Sequence, residues 1–213
     1  MTVAGFAFNP FSENTYLLID EATRQCAIVD AGCYTPAEQQ ALRSYIETQQ
    51  LQVALLLNTH SHIDHVLGAQ FVLDTWPDTP FLVHRLDLPT LRAVPTYAAN
   101  YGFPQYRPAE PTGELVAGQP VRFGETELEV RFTPGHAPGH VVFYHAPTAT
   151  VIGGDVLFQR SIGRTDLPGG NHAELIHSIE TELLTLPDDT VVYPGHGPAT
   201  TIGDERRYNP FLQ

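Results

Sequence analysis

The sequence contains no lysine; its eleven basic residues are all arginine. No lysine can therefore act as nucleophile, Schiff-base former or anion hook. An anionic substrate group must be held by arginine, by backbone N–H or by a metal. Positive charge is scarce altogether, with 11 basic residues against 24 acidic ones and a formal net charge of −13. That balance opposes a nucleic-acid partner, because a phosphate backbone needs a basic stripe. The acidic surface reads as a solubility feature. There are two cysteines, Cys26 and Cys33, too few for a disulfide framework. Cys26, inside CAIVDAG, reads as a small buried hydrophobe. No apolar run reaches the roughly 20 residues of a membrane span. The start, MTVAGFAFNPFSENTYLL, lacks the charged leader and long apolar core of an export signal. The expectation is a cytoplasmic chain without a membrane partner.

Hydrophobic residues make up 42% of the chain and charged ones 16%, a balance that excludes disorder. A length of 213 residues predicts one domain, 1–213, around one sizeable core. VAGFAF, TYLLID and CAIVDAG read as opening strands, with ENTY and EATRQ as turns. Pro36 to Gln50 reads as a helix capped by Thr35, with Pro36 at its first position. VALLL follows as a strand, 66–76 as a helix and FLVH as a strand. From Arg85 to Gly118 the chain is rich in proline and tyrosine and reads as irregular. VRFGETELEVRF alternates like a hairpin turning at Gly124. VVFYHA and ATVIGG are strands, 171–186 a helix capped by Asn171 with Glu174 three residues on, and VVYPGHG a last strand and loop. Two halves, each a sheet with helices on its outer face, predict an α/β (α+β) fold of four layers, an αββα sandwich.

Four polar clusters stand where strands stop. NTHSHIDH places His60, His62, Asp64 and His65 within six positions. His60 and His62 are two apart in extended chain, so both rings face one side and can grip one ion. Asp64 and His65 follow the turn towards the next helix and aim elsewhere, a geometry suited to two adjacent metals. FTPGHAPGH holds His136 and His140, VIGGDVLF holds Asp155, and VVYPGHG holds His196. His136 and His196 each follow Pro-Gly, where glycine permits a sharp turn. The carboxylate of Asp155 has two oxygens and can bridge two cations. Imidazole and carboxylate suit zinc, iron or manganese better than calcium.

THSHIDH resembles the T-H-x-H-x-D-H signature of the metallo-β-lactamase fold superfamily, and the later His, Asp and His follow in that family's order. The resemblance implies two divalent metal ions, zinc foremost, with iron or manganese as alternatives. One would take His60, His62 and His136, the other Asp64, His65 and His196, with Asp155 between them. Asp64 would also orient the attacking hydroxide. ENTYLLID…AIVDAG and GDVLFQRSIGRTDLPGG resemble the glyoxalase II (hydroxyacylglutathione hydrolase) group in its short, single-domain bacterial form, without that group's C-terminal helical domain. This implies a thioesterase acting on a small 2-hydroxyacyl thioester such as S-lactoylglutathione. The group holds glutathione with a basic residue and an aromatic hydroxyl near 164; Arg164 supplies the first, and Asp166 stands where tyrosine is expected.

Arg164, His140 and His172 are candidate substrate-binding residues. For Arg164 the alternative is a salt bridge with Asp166; for His140 it is a supporting or surface position. Tyr97, Tyr101, Phe103 and Tyr106 would line a cleft, pack on the core or bury themselves in a homodimer. A second function on the same fold is a mononuclear iron persulfide dioxygenase, sharing the stretch Gly163 to Asp166 and using His60, His136 and Asp155. A β-lactamase is opposed by the missing export signal and by aspartate at 155, a tRNA-processing nuclease by low basicity. A metal-bearing module without turnover is not excluded.

Overall fold

Period-two burial decides the layers. The computed structural model of the chain describes residues 1–213. Six strands form a first sheet in chain order: β1 (Thr2–Phe8), β2 (Glu13–Ile19), β3 (Gln25–Val29), β4 (Gln52–Leu57), β5 (Phe81–His84) and β6 (Gly113–Leu115). The second sheet is built from β7 (Val121–Phe123), β8 (Thr126–Phe132), β9 (Val141–His145), β10 (Thr150–Gly154), β13 (Val191–Pro194) and β14 (Thr200–Thr201), in the order β14-β13-β10-β9-β8-β7. A small hairpin, β11 (Leu157–Phe158) with β12 (Ser161–Ile162), projects between β10 and β13 in the sequence.

Alternate side chains of each strand enter different cores. Leu18, Val29 and Leu57 of the first sheet meet Leu128, Phe143 and Ile152 of the second in one buried cluster. Their neighbours Leu17, Ile28 and Leu56 face the opposite way, onto α1 (Pro36–Thr48), α2 (Ala69–Thr75) and α3 (Leu88–Tyr97). Val142 and Val151 likewise face α4 (His172–Ser178) and α5 (Ile202–Tyr208) through Leu175 and Ile202. The result is the expected αββα sandwich.

Strand direction positions the site. β3, β4 and β5 are parallel to one another. β8 and β10 are each antiparallel to β9, and β13 is parallel to β10, so β8, β10 and β13 share a direction. Every polar cluster therefore leaves the C-terminal end of a strand.

Three local expectations change. Arg85 to Gly118 is not irregular throughout: it contains α3, whose Leu91 and Val94 are buried at helical spacing, with Ala98 buried just past its end. Pro89 sits in the first turn, where no intrahelical N–H partner is lost. Pro95 lies one turn from the end, and the chain leaves through a 3-10 turn closed by left-handed Gly102. The prolines disguised a periodic segment. The second helix starts at Ala69, because Ile63–His65 forms a separate 3-10 turn. The helix after Asn171 turns π-helical at Ile179–Leu183, and Asn171 caps Glu174 N without a return bond. Thr35, by contrast, makes the complete reciprocal box with Glu38. The chain after Thr201 forms α5, anchored by Glu205.

Glu205 is fully buried and accepts from Arg160 N, Arg160 Nη1, Thr200 Oγ1 and Asn209 Nδ2. Glu205→Ala strands several of these donors and is expected to destabilise the protein by about 3 kcal/mol, read as a lower urea midpoint. An unchanged midpoint would show that water replaces the carboxylate.

Candidate metal centre

The loop after β4 turns away from its sheet and lays three histidines beside the strand ends of the second sheet. His60, His62 and His136 bring one ligand atom each within 4.8 Å of one another, and Asp64, His65 and His196 do the same. Asp155 spans both groups. Its Oδ1 lies 3.5 Å from His65 Nε2; its Oδ2 lies 3.6 Å from His136 Nε2 and 3.5 Å from His196 Nε2. Asp64 Oδ2 stands 3.1 Å from His196 Nε2. All seven expected residues thus meet in one place, although they span 137 positions of sequence, from 60 to 196.

The donor set fits divalent cations. His60 Nε2, His65 Nε2 and Asp155 Oδ1 are buried and lack hydrogen-bond partners. Such atoms are costly unless something compensates them. His62 Nδ1 and His136 Nε2 face each other at 2.9 Å, so a shared cation or a shared proton must lie between two lone pairs.

Three other ring nitrogens are committed elsewhere. His136 Nδ1 donates to Arg164 O at 2.7 Å, and His196 Nδ1 to Phe11 O at 3.0 Å. His65 Nδ1 donates to Asp30 Oδ2 at 3.1 Å. These bonds fix each ring's tautomer and aim Nε2 inward, the arrangement that supports imidazole ligation.

The glycines do two different jobs. Gly135 adopts φ +125°, so it supplies the turn before His136. Gly195 needs no left-handed backbone; it supplies clearance, since a Cβ there would collide with Asp155 Oδ1 and His65 Cε1.

Burial and charge set the protonation pattern. Burial pushes His60 well below the usual imidazole range and His62 down to about 3, and it also lowers His136 and His140. His65 is also desolvated, but the carboxylates of Asp64 and Asp155 outweigh that and raise it well above the usual value. A bond to Asp64 raises His196 against its own burial. Protonated His65 stabilises the metal-free fold below the unfolded value of about 6.5, and that contribution fades as pH rises through its folded value. The four depressed histidines act oppositely: unfolding lets them bind protons, so stability falls as pH drops below about 6.5. Below about 6.5 the two raised histidines are protonated in both states and add no slope. Metal-free protein is therefore expected to lose thermal stability between about pH 6.5 and pH 4; a midpoint rising over that range would contradict this.

The centre opens into a cleft of about 930 Å³. Its walls include Pro89, Ala93 and Tyr97 of α3, Phe158 and Ile162 of the β11–β12 hairpin, and Arg164. His60 and His65 lie beneath the floor and are 1% exposed. Of the three expected substrate contacts, only Arg164 lines the cleft. Its guanidinium is held by Asp166, Nε to Oδ1 at 2.7 Å and Nη2 to Oδ2 at 2.9 Å. His140 is fully buried, with Nε2 accepting from Asp155 N at 3.0 Å and Nδ1 beside Thr133 Oγ1, so it positions Asp155 and faces no substrate. His172 is exposed at the start of α4, away from the cleft lining. The aromatic set divides: Tyr97 and Tyr101 line the cleft, while Phe103 is buried against Tyr34 and Tyr106 packs on the core.

Three acids escaped the sequence reading. Asp30 accepts four bonds and is 2% exposed. Asp87 is fully buried and accepts from the backbone N–H groups of Ser61 and Gly139, tying the two histidine loops together. Glu13 is fully buried behind His65, and burial pushes its carboxyl well above the usual range. The available signal was position: Asp30 and Asp87 each follow a strand end, as the ligands do.

A family model described as the metallo-beta-lactamase superfamily matches residues 8–196. The hydroxyacylglutathione hydrolase GloC of Haemophilus influenzae is 36% identical over 208 residues, covering 95% of this chain and 93% of its own. The solved BLEG-1 B3 metallo-beta-lactamase superposes with a TM-score of 0.86 at 35% identity, covering all of both chains. TTHA1623, solved in a di-iron-bound form, superposes with a TM-score of 0.87 at 37% identity, covering 98% of this chain and all of that one. With the fold, the strand-end histidines and the family match over nearly its whole length, the chain belongs to the metallo-β-lactamase superfamily.

Proposed function

We propose that the protein is a metal-dependent thioesterase of the glyoxalase II type, hydrolysing a small 2-hydroxyacyl thioester of which S-lactoylglutathione is the type. The observation that carries this reading is Asp155, whose carboxylate lies between two three-residue groups at the floor of one cleft, Oδ2 facing His136 of one and His196 of the other and Oδ1 facing His65. One group, His60, His62 and His136, would hold one divalent cation; Asp64, His65 and His196 would hold another, with Asp155 touching both. Zinc suits this imidazole–carboxylate set, as do iron and manganese; the di-iron form of TTHA1623 supports iron as the alternative. Bound there, the cations supply Lewis-acid polarisation of a carbonyl and water with a pKa near 7.

The chain's own residues do the rest. Asp64, lining the cleft beside His196, accepts a hydrogen bond from the attacking oxygen and orients it. His65 and His136 are kept in one tautomer by Asp30 and by the Arg164 carbonyl. The α3 wall and the β11–β12 hairpin exclude water around the acyl group. A C–O bond forms, the C–S bond breaks, and the thiolate leaves with little need of a proton. Both cysteines are buried away from the cleft, so no thiol nucleophile competes. The substrate is a small molecule, and the acidic surface disfavours nucleic acid.

The test is elemental analysis of protein purified without added metal, with assays of the same sample. Near two ions per chain with thioester cleavage supports the reading. Full activity after metal removal would sink it, as would β-lactam cleavage without thioester cleavage. One iron per chain with oxygen uptake on a persulfide would assign the dioxygenase instead.

A further inference from the structure

We propose that the connection between β1 and β2, which supplies no metal ligand, sets the occupancy of one half of the centre, the group Asp64, His65 and His196. Asn9 and Asn14 are the positioning residues through which it acts. This inference rests on the two-cation reading of the centre and names what holds the second ion. Asn9 Nδ2 donates to Asp64 O and to Gly32 O, both at 3.1 Å. Asn9 Oδ1 accepts from Phe11 N at 3.0 Å, and the Phe11 carbonyl in turn accepts from His196 Nδ1. Asn14 Nδ2 donates to Pro194 O at 3.0 Å and to Gly197 O at 2.9 Å, so it brackets His196. The backbone adds a bond from Asn14 N to Gly195 O and a bridge between Glu13 and His196.

The other group takes nothing from this connection. His60 Nδ1 faces Thr59 Oγ1, His62 Nδ1 faces His136, and His136 Nδ1 is fixed by Arg164 O. The asymmetry is chemical as well as spatial. The Asn9 side chain puts its oxygen on an N–H and its nitrogen on two carbonyls. Only an amide satisfies both ends. Asn9 also sits at φ +52°, a left-handed position that asparagine tolerates better than most side chains. It lies outside the β1–β2 ladder, which pairs Thr2 to Phe8 with Ile19 to Glu13, so the sheet does not depend on it.

The experiment titrates metal-free protein with Zn²⁺ against a competing chelator and reads a stoichiometry and two affinities. Asn9→Gly keeps the left-handed backbone and removes the amide. Asn14→Ala keeps the backbone bond to Gly195 and removes the other amide. Each is expected to weaken one ion by about tenfold or more, with the other ion at its wild-type affinity. His196→Ala and His62→Ala, each lacking a ligand of one group, identify the ion. Both asparagine variants should follow His196→Ala. A general loss of folding weakens both ions together, so the ratio of the two affinities separates positioning from stability. The variants act on different ligands, so one that fails to fold leaves the other to decide. Wild-type affinities, equal loss of both ions, or a profile like that of His62→Ala would overturn this inference alone. If wild type takes up fewer than two ions, the two-cation reading falls and takes the inference with it. No ester enters the titration, so the result stands apart from which substrate is cleaved.

Discussion

Asp30→Asn is expected to weaken metal affinity and activity by about 10- to 100-fold, the usual effect of removing a partner that orients a ligand. The reason lies in four bonds. Oδ1 accepts from Asn58 Nδ2 and Thr59 N, both at 2.7 Å. A backbone N–H cannot reverse, so the asparagine must keep its oxygen there. Its NH2 then takes the place of Oδ2, facing Thr59 Oγ1 and His65 Nδ1. The hydroxyl can rotate, but His65 must accept on Nδ1 and carry its proton on Nε2, the atom aimed at Asp64 and Asp155. A ligand atom becomes a donor. Asp30→Ala instead leaves buried donors unpaired at about 1–3 kcal/mol each, so it is expected to unfold well before wild type. A competition titration against a chelator reads the asparagine variant. Wild-type metal affinity there would show that Asp30 does not set the tautomer of His65.

Asp155→Asn is expected to lower kcat/KM by two to three orders of magnitude. Lewis-acid stabilisation is worth several kcal/mol, and each 1.36 kcal/mol is tenfold in rate. Asparagine offers one acceptor oxygen where aspartate offers two, and it carries no charge. It can satisfy His65 or the His136–His196 pair, not both. Metal content should fall towards one ion per chain together with the rate. A variant that keeps two ions and full turnover would show that the carboxylate does not span the two groups.

The legibility of this site followed from chain direction. His60, His62, Asp64 and His65 were readable because they crowd one loop behind an apolar strand. His136, Asp155 and His196 were readable because each follows a glycine at a strand end. A strand end leaves a mark in sequence as a change of period. Asp30 carried the same mark, in CAIVDAG, yet lay among residues with a simpler reading as strand. Pro89 and Pro95 masked α3, since proline reads as a breaker and its tolerance in the first turn depends on where the helix begins.

Residue chemistry and period-two patterning, both local, were enough to establish four layers, the donor types and the lack of any lysine hook. Which donors share an ion depends on distances between residues up to 136 positions apart, and sheet-on-sheet packing sets those. The same packing turned His140 inward to hold Asp155, left His172 outside, and made α3 a cleft wall. It also closed Arg164 onto Asp166, a choice between two partners that the sequence left open. Spacing reports which way a side chain leaves its own element; only the packed sheets decide what it meets.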